Sequence, residues 1–362
     1  MKITANRSDL ARALKLAAST ADPKSTLPVL GCVCLVAEGK KQLHITATDL
    51  TVGITSTLAV SVGTHGKVAV DARALLDRVA SLSAAEVTIA RDGSALVVTA
   101  GRAAFRVPCL DGRDFPAVLA MPADATAWPA SDVARGLASV TPAICQDQTR
   151  IHLAGVYVDG ADLVATDGHR LLVTAIPSPL GAQRIVPAKG VAQILKTIGD
   201  ADACEIAWST AALFVKAGDV TTSVKLIDAQ FPPWRQVVPT SGRTVRVRRA
   251  ELAEMIDRAR KVAGDSDAVV MSFATDSQEI ALSAHHADRG DYTDAIEIVD
   301  DVWPGAPLAI HFNGRYVAEA LGTGATDHAD LMMPPEGKDA QLSPFVVVVG
   351  ETRGTVMPMR PK

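Results

Sequence analysis

Asp167, His169 and Arg170 stand within four residues of one another, with Gly168 between them. A carboxylate and an imidazole at that spacing can exchange a proton, and a guanidinium beside them can hold an anion, so the trio could serve a hydrolytic acid–base site. The chain supplies nothing to go with it. It has no nucleophile motif, no G-x-x-x-x-G-K-[S/T] phosphate loop and no cluster at metal-ligand spacing. Cys32 and Cys34 lie two apart in an apolar run and share a strand face, while Cys109, Cys145 and Cys204 are isolated. These five read as buried free thiols, so neither a metal nor a cofactor is expected. Residues two apart in a glycine-bearing polar turn meet without doing chemistry, and the reading favoured here is a binding turn in a non-catalytic protein.

The elements that position this turn emerge from the whole chain. Its 362 residues are enough for two or three domains, and 48% hydrophobic content supports real cores. No apolar run is long enough to span a bilayer, and the opening Met1 to Leu10 alternates and then turns polar, unlike a signal peptide; a cytoplasmic protein is expected.

Three signatures recur in the same order, which indicates a threefold internal repeat. The first is an amphipathic helix: Ser8-Asp9-Leu10 leads into Leu14 and Ala17, Ser131-Asp132-Val133 into Leu137 and Val140, and Ala250-Glu251-Leu252 into Ile256 and Ala259. Apolar residues at i, i+4 and i+7 make one buried stripe, with Ser8 and Ser131 as expected N-caps. The second reads Val70-Asp-Ala-Arg73-Ala-Leu75, Val186-Pro-Ala-Lys189-Gly-Val191 and Phe312-Asn-Gly-Arg315-Tyr-Val317, a strand end running into a helix. The third is a closing strand, with Leu110-Asp111 running to Phe115-Pro116, Ile227-Asp228 to Phe231-Pro232, and a last copy reaching Val356-Met-Pro-Met359. Equivalent positions lie about 120 residues apart, a normal domain size. The fold class is therefore α+β: three tandem domains, each with two helices packed on antiparallel sheets, over residues 1–122, 123–242 and 243–362.

Five segments carry a family resemblance: Thr26-Leu-Pro-Val-Leu-Gly31, Val164-Ala-Thr-Asp-Gly-His-Arg-Leu171, Val186-Pro-Ala-Lys-Gly190, Phe231-Pro-Pro-Trp-Arg235 and Val356-Met-Pro-Met-Arg360. In this order, on the triplicate repeat, they resemble the bacterial DNA polymerase III beta sliding clamps over essentially the whole chain. The resemblance implies three copies of the clamp fold, and a head-to-tail homodimeric ring that encircles duplex DNA without sequence specificity. Such a ring tethers DNA polymerases, clamp loader and repair proteins through short linear peptides. A head-to-tail contact is heterologous, so the chain must present two different complementary ends. The strand Arg102-Ala-Ala-Phe-Arg-Val107 matches the family's edge strand, and the third domain offers an acidic stretch through Asp288, Asp291, Asp294 and Glu297. Apolar packing by Phe105 and Val107 and basic-to-acidic steering by Arg102 and Arg106 are expected across the joint.

A net charge of −4 sits awkwardly with DNA binding until its distribution is considered. The six repeat helices, taken as 8–18, 71–82, 131–141, 188–198, 248–263 and 313–322, carry +1, 0, 0, +2, +2 and 0, a net of +5 that leaves −9 for everything else. A lightly basic lining suits a ring held by topology, since many strong phosphate contacts would make binding tight and salt-sensitive. A sequence-specific DNA reader would need a strongly basic reading element, which is lacking. By resemblance the DNA contacts are Lys24, Arg73, Lys189, Lys196 and Arg235; the family usually has a basic residue where Ala188 stands. The implied peptide pocket comprises Arg150, Leu153, Thr166, Gly168, His169, Arg170, Leu171, Pro232, Val237, Tyr316, Met357, Pro358, Met359 and Arg360. His152, Trp234 and the trailing Pro361-Lys362 depart from the family pattern. Methionines at 357 and 359 are adaptable packing surfaces, and Tyr316 adds an apolar face with a polar tip.

Overall fold

The computed structural model describes residues 1–147, 149–177, 180–299 and 301–360, so Pro361 and Lys362 lie outside the described residues. The first repeat runs β1 (Lys2–Asn6), α1 (Arg7–Ala18), β2 (Cys32–Glu38), β3 (Gln42–Thr48), β4 (Val52–Ala59), β5 (Ser61–Thr64), β6 (Gly66–Asp71), α2 (Ala72–Ser81), β7 (Glu86–Asp92), β8 (Ala95–Ala100) and β9 (Ala103–Asp111). The second runs β10 (Thr126–Pro129), α3 (Ala130–Val140), β11 (Gly155–Gly160), β12 (Asp162–Thr166), β13 (Arg170–Ala175), β14 (Gly181–Pro187), α4 (Ala188–Ile198), β15 (Ala203–Trp208), β16 (Ala212–Ala217) and β17 (Val220–Lys225). The third runs β18 (Arg243–Arg248), α5 (Arg249–Ala263), β19 (Ala268–Phe273), β20 (Glu279–His286), β21 (Gly290–Glu297), β22 (Leu308–Asn313), α6 (Gly314–Leu321), β23 (His328–Met333), β24 (Phe345–Val349) and β25 (Thr352–Val356).

The order strand–helix–strands–strand–helix–strands thus occurs three times. The stripes that announced it are buried: Leu10, Leu14, Ala17, Leu252, Ile256 and Ala259 have no exposed surface, and Val133, Leu137 and Val140 have 3% or less. Each fully buried leucine or isoleucine contributes roughly 1.5–3 kcal/mol through the hydrophobic effect. The caps differ from the sequence expectation. Asn6, not Ser8, caps α1, its Oδ1 accepting from the Ser8 and Asp9 N–H groups at 2.9 and 3.2 Å. Ser131 lies inside α3, because β10 runs directly into the helix and the Asp202 carbonyl takes the Ala130 N–H at 3.0 Å. Asp71 and Asn313 cap α2 and α6 in the same side-chain manner as Asn6.

The chain divides into two compact units, and the central repeat contributes to both. Residues 1–134 and 189–226 form the first. Its thirteen strands run in the order β10-β15-β16-β17-β4-β3-β2-β6-β9-β8-β7-β1-β5, and α1 and α2 lie side by side against a core that includes Leu35, Ile45, Leu75, Val79 and Ile89. Residues 135–188 and 227–362 form the second unit. It contains an eight-stranded sheet, β14-β11-β12-β13-β25-β24-β23-β18, and a four-stranded sheet, β21-β20-β19-β22.

Each unit has one place where strands of successive repeats pair. In the first, β17 pairs antiparallel with β4, Val224 opposite Val52. In the second, β25 pairs antiparallel with β13, Val356 opposite Arg170. Both unions join the last strand of one repeat to the strand that follows the β-hairpin turn of the repeat before it. The sheets therefore continue from repeat to repeat through backbone hydrogen bonds, which the residue-type signatures do not report.

Candidate functional site

The polar turn that opened the sequence reading connects β12 to β13. Thr166 Oγ1 donates to the Arg170 carbonyl at 2.6 Å and accepts from the Gly168 N–H at 3.1 Å. Asp167 Oδ1 accepts from the N–H groups of His169 and Arg170 at 2.9 and 3.1 Å. Gly168 takes φ +89°, the left-handed region where a side chain is strained, and a Cβ there would meet Arg150 Nη1 at 3.1 Å. Asp167 Oδ2 faces Arg170 Nε at 3.2 Å. Both carboxylate oxygens thus hold the turn together, while the His169 side chain is exposed and makes no hydrogen bond to Asp167 among the described residues. The turn is closed by its own hydrogen bonds, and the proton-exchanging pair considered from the sequence does not form among the described residues.

Arg170 is the keystone, at 6% exposure. Besides Asp167, its guanidinium pairs with Glu319 on α6, donates to the Pro142 carbonyl, and lies 4.5 Å from the Tyr316 ring centre. Arg315 approaches the same ring at 5.5 Å. Arg150 reaches the Asp167 carbonyl at 2.7 Å and Asp147 at 3.2 Å. The tail is tied to the same place: the Met357 N–H donates to the His169 carbonyl at 3.0 Å and the Met359 N–H to the His311 carbonyl at 2.6 Å. Met357 remains 43% exposed.

The apolar wall lies alongside. Leu153, Leu171, Phe231 and Trp234 share one buried cluster with Cys145 and Val164, and Tyr157 stacks on Phe231 at 4.6 Å. A cavity of about 490 Å³ opens over Tyr157, Phe231, Pro232 and Trp234, and Val237 is exposed close by in the chain. Trp234, a departure from the family pattern, is buried and donates its Nε1–H to Asp159 at 3.1 Å. Pro358 is half-buried, and Arg360 is exposed at the end of the tail. Sequence reasoning missed Glu319, the Pro142 and His311 carbonyls, and Asp147. Only Glu319 left a trace: it sits three residues after Tyr316, on the same face of α6.

The five basic positions differ in how free they are. Lys24, Arg73 and Lys196 are exposed and make no ion pair among the described residues. Lys189 pairs with Asp49, whose side chain is only 6% exposed. Arg235 pairs with both Asp159 and Asp162 and lies over the Trp234 ring at 4.3 Å. Burial pushes the Asp159 carboxyl up, but hydrogen bonds from Arg235, Trp234 and Gln183 more than offset it and hold the group below its ordinary value. A phosphate would compete with two carboxylates for Arg235.

Two strand edges bear on a head-to-tail joint. Residues 103–108 of β9 pair with β8 on one side, while β6 on the other side pairs only with Cys109, Leu110 and Asp111. Val107 is 4% exposed, on the face of β9 that meets the core of its own unit. Phe105 points the same way, half-buried, with Arg78 at 5.7 Å from its ring. Arg102 and Arg106 are exposed, and Arg106 pairs with Asp92 at 2.5 Å. The second edge is β21, outermost in its sheet, with Asp288 in the turn before it. Asp291 pairs with His285 at 2.5 Å, Asp294 with Arg258 at 3.1 Å, and Glu297 with Arg248 at 3.6 Å. A hydrogen bond from Tyr292, ahead of those from the Ala295 N–H and Arg258, holds the Asp294 carboxyl below its ordinary value.

The five cysteines are free and buried, and burial pushes the Cys32, Cys34 and Cys204 thiols up to about 11. Among the described residues no helix is long and apolar enough to cross a membrane.

Family profiles match nearly the whole chain: the N-terminal domain of the DNA polymerase III beta subunit over residues 1–119, its central domain over 128–233 and its C-terminal domain over 235–360. The beta sliding clamp of Vibrio cholerae is 30% identical, over 99% of this chain and 100% of its own length. That of Caulobacter vibrioides is 29% identical, over 91% and 92%. A crystal structure of the Caulobacter crescentus beta sliding clamp carrying bound polyethylene glycol superposes with a TM-score of 0.91 at 26% identity, covering all of both chains. With three domain profiles in order, a triplicated fold and a solved structure matched over the whole of both chains, the chain belongs to the DNA polymerase III beta subunit family, the bacterial beta sliding clamps.

Proposed function

We propose that two copies of this chain close head to tail into a ring around duplex DNA, and that the ring holds DNA polymerases, the clamp loader and repair proteins by short peptides seated on the Arg170 turn and the Met357–Met359 tail. The ring itself does no chemistry in this reading.

One observation carries it: the same strand junction occurs twice within the chain and is left open once. The strand after the hairpin turn is β4, β13 and β21 in the three repeats, and the last strand is β9, β17 and β25. β4 is taken by β17 and β13 by β25. β21 of the third repeat and β9 of the first remain, and a second copy supplies the partner each lacks.

The repeat also fixes the register. Ser223 stands opposite Gly53 in the first junction. Matching Ile227-Asp228 to Leu110-Asp111 makes Arg106 the counterpart of Ser223. Matching the first residues of β3 and β20 makes His285 the counterpart of Thr48, and their hairpin partners Asp291 and Gly53 equivalent. Arg106 then faces the partner subunit's Asp291 and Phe105 faces the partner subunit's Tyr292, an opposite-charge pair beside an aromatic one. Basic-to-acidic steering falls to Arg102 and Arg106 against the β21 carboxylates, with sheet continuity supplying the rest.

For DNA, Lys24, Arg73, Lys189 and Lys196 are the contacts supported best, few enough for a grip that slides. The three-domain division at 1–122, 123–242 and 243–362 remains our reading of the repeat, in a protein acting in the cytoplasm.

The register gives the test. Ala104 falls opposite the partner subunit's Thr293, within the Cα spacing of about 4.4–6.8 Å that a disulfide spans. The Ala104→Cys, Thr293→Cys double variant is expected to oxidise to a covalent dimer on a non-reducing gel, against a quiet background because the native thiols are buried. The pair Ala104→Cys, Asp291→Cys, two residues out of register, should cross-link far less. Equal cross-linking of both pairs, or none, would sink the junction.

A further inference from the structure

A cavity of about 630 Å³ opens in the first unit, lined by α1, β4 and the end of α4. Its apolar walls are Ala13 and Leu16 of α1, Leu58 of β4, Ile198 of α4 and Val220 of β17. Ser56 lines it too, on the same face of β4 as Leu58, since side chains two apart on a strand point the same way. Its hydroxyl is buried, with the residue 3% exposed, and finds no hydrogen-bond partner among the described residues. Ser19, another lining residue, donates to Gln193 Oε1 at 3.0 Å, and the buried Nε2 of that glutamine is likewise unpartnered. The lining threonines Thr57 and Thr197, by contrast, are bonded to His44 and Thr222. Buried polar groups are nearly always paired, so an orphan on a cavity wall points to a partner from outside the chain.

The second unit repeats the cavity, at about 760 Å³, and shows what the first lacks. Thr174-Ala-Ile176 takes the place of Ser56-Thr-Leu58, Thr323-Gly-Ala-Thr326 that of Thr197-Ile-Gly-Asp200, and Glu351-Thr352 that of Asp219-Val220. The strand junctions set this match, because Thr352 stands opposite Thr174 as Val220 stands opposite Ser56. Thr352 donates its hydroxyl to Thr174 at 3.1 Å, so the second cavity closes its own polar pair. Valine at 220 has no hydroxyl to give, and Ser56 is left unmatched.

We infer that the first cavity is a binding site for a neutral, largely apolar small molecule that carries one hydroxyl group. A pocket of several hundred Å³, walled by aliphatic side chains with a few polar groups, suits such a ligand. A hydroxyl both donates and accepts, so it fills whichever role Ser56 leaves open. Charge argues for neutrality: the lining carboxylates Asp9, Asp200 and Asp219 are matched in number by Arg12, Lys15 and Lys196, and Arg12 pairs with Asp9 at 2.8 Å. A peptide would bring several backbone N–H and C=O groups, which aliphatic walls cannot satisfy. The site stands whether or not two copies close around DNA.

The test is methyl NMR on the full-length chain, titrated separately with p-cresol and with toluene, which differs from it only in lacking the hydroxyl. p-Cresol is expected to shift the Leu16, Leu58 and Ile198 methyls saturably. It should bind about fivefold more tightly than toluene, the worth of one hydrogen bond. Ser56→Ala should bring p-cresol down to the affinity of toluene. Val220→Thr, which keeps Ser56 and copies the Thr352 pairing, should weaken p-cresol by a similar factor, and it decides alone if Ser56→Ala does not fold. No saturable shift of these methyls with p-cresol would overturn the site. So would equal affinity for the two probes, or p-cresol binding that Ser56→Ala leaves undiminished.

Discussion

Arg170→Ala is expected to cost about 3 kcal/mol of stability, at the lower end of the range for removing one partner of a buried ion pair. The low end applies because Glu319 is 33% exposed and Asp167 17%, so water recovers part of what each carboxylate loses. The Pro142 carbonyl loses a donor and the Tyr316 ring loses its cation. For a unit of this size the melting temperature should fall by roughly 6–12 °C. Arg170→Lys should recover only part of it, because one ammonium cannot reach two carboxylates and a carbonyl while lying flat on a ring. Calorimetry of the three proteins measures this directly. A change below about 1 kcal/mol, the worth of a surface ion pair, would mean that the network does not hold the turn.

The second large effect concerns the tail. Truncation after Val356 should weaken binding of a groove peptide at least ~100-fold, about 2.7 kcal/mol, while the melting temperature and dimer mass stay close to those of the full chain. β25 ends at Val356 and keeps its pairing with β13 and β24, so the sheet does not depend on the residues removed. What is lost is the exposed face of Met357 and the strap made by the Met359 N–H on His311. Fluorescence anisotropy with a labelled peptide and sedimentation velocity on the same samples separate the outcomes. Loss of the dimer together with the peptide would make the tail a structural element.

The six helices and the triplication were legible because burial imposes a 3.6-residue period on side-chain type, and Leu10/Leu14/Ala17 and Leu252/Ile256/Ala259 carry that period plainly. β3 carries the matching period of two, with Leu43, Ile45 and Ala47 buried. The Thr166–Arg170 turn was legible as a turn, since Gly168 and Asp167 announce one. Three things were hidden. The two pairings of Arg235 join residues more than 70 positions apart. Arg170 and Glu319 lie 149 positions apart, and no local pattern reports such a contact. The junctions β17–β4 and β25–β13 are backbone pairings, nearly indifferent to residue type, yet the proposed joint with a second copy is argued from them.

The central claim, a ring held on DNA by topology, is tested most directly by retention on nicked circular DNA. The loaded protein, washed at a salt concentration that strips electrostatic contacts, is predicted to stay on the circle and to leave within one wash once a restriction enzyme cuts it. Equal retention before and after cutting, or equal retention on linear and circular DNA from the start, would contradict the ring.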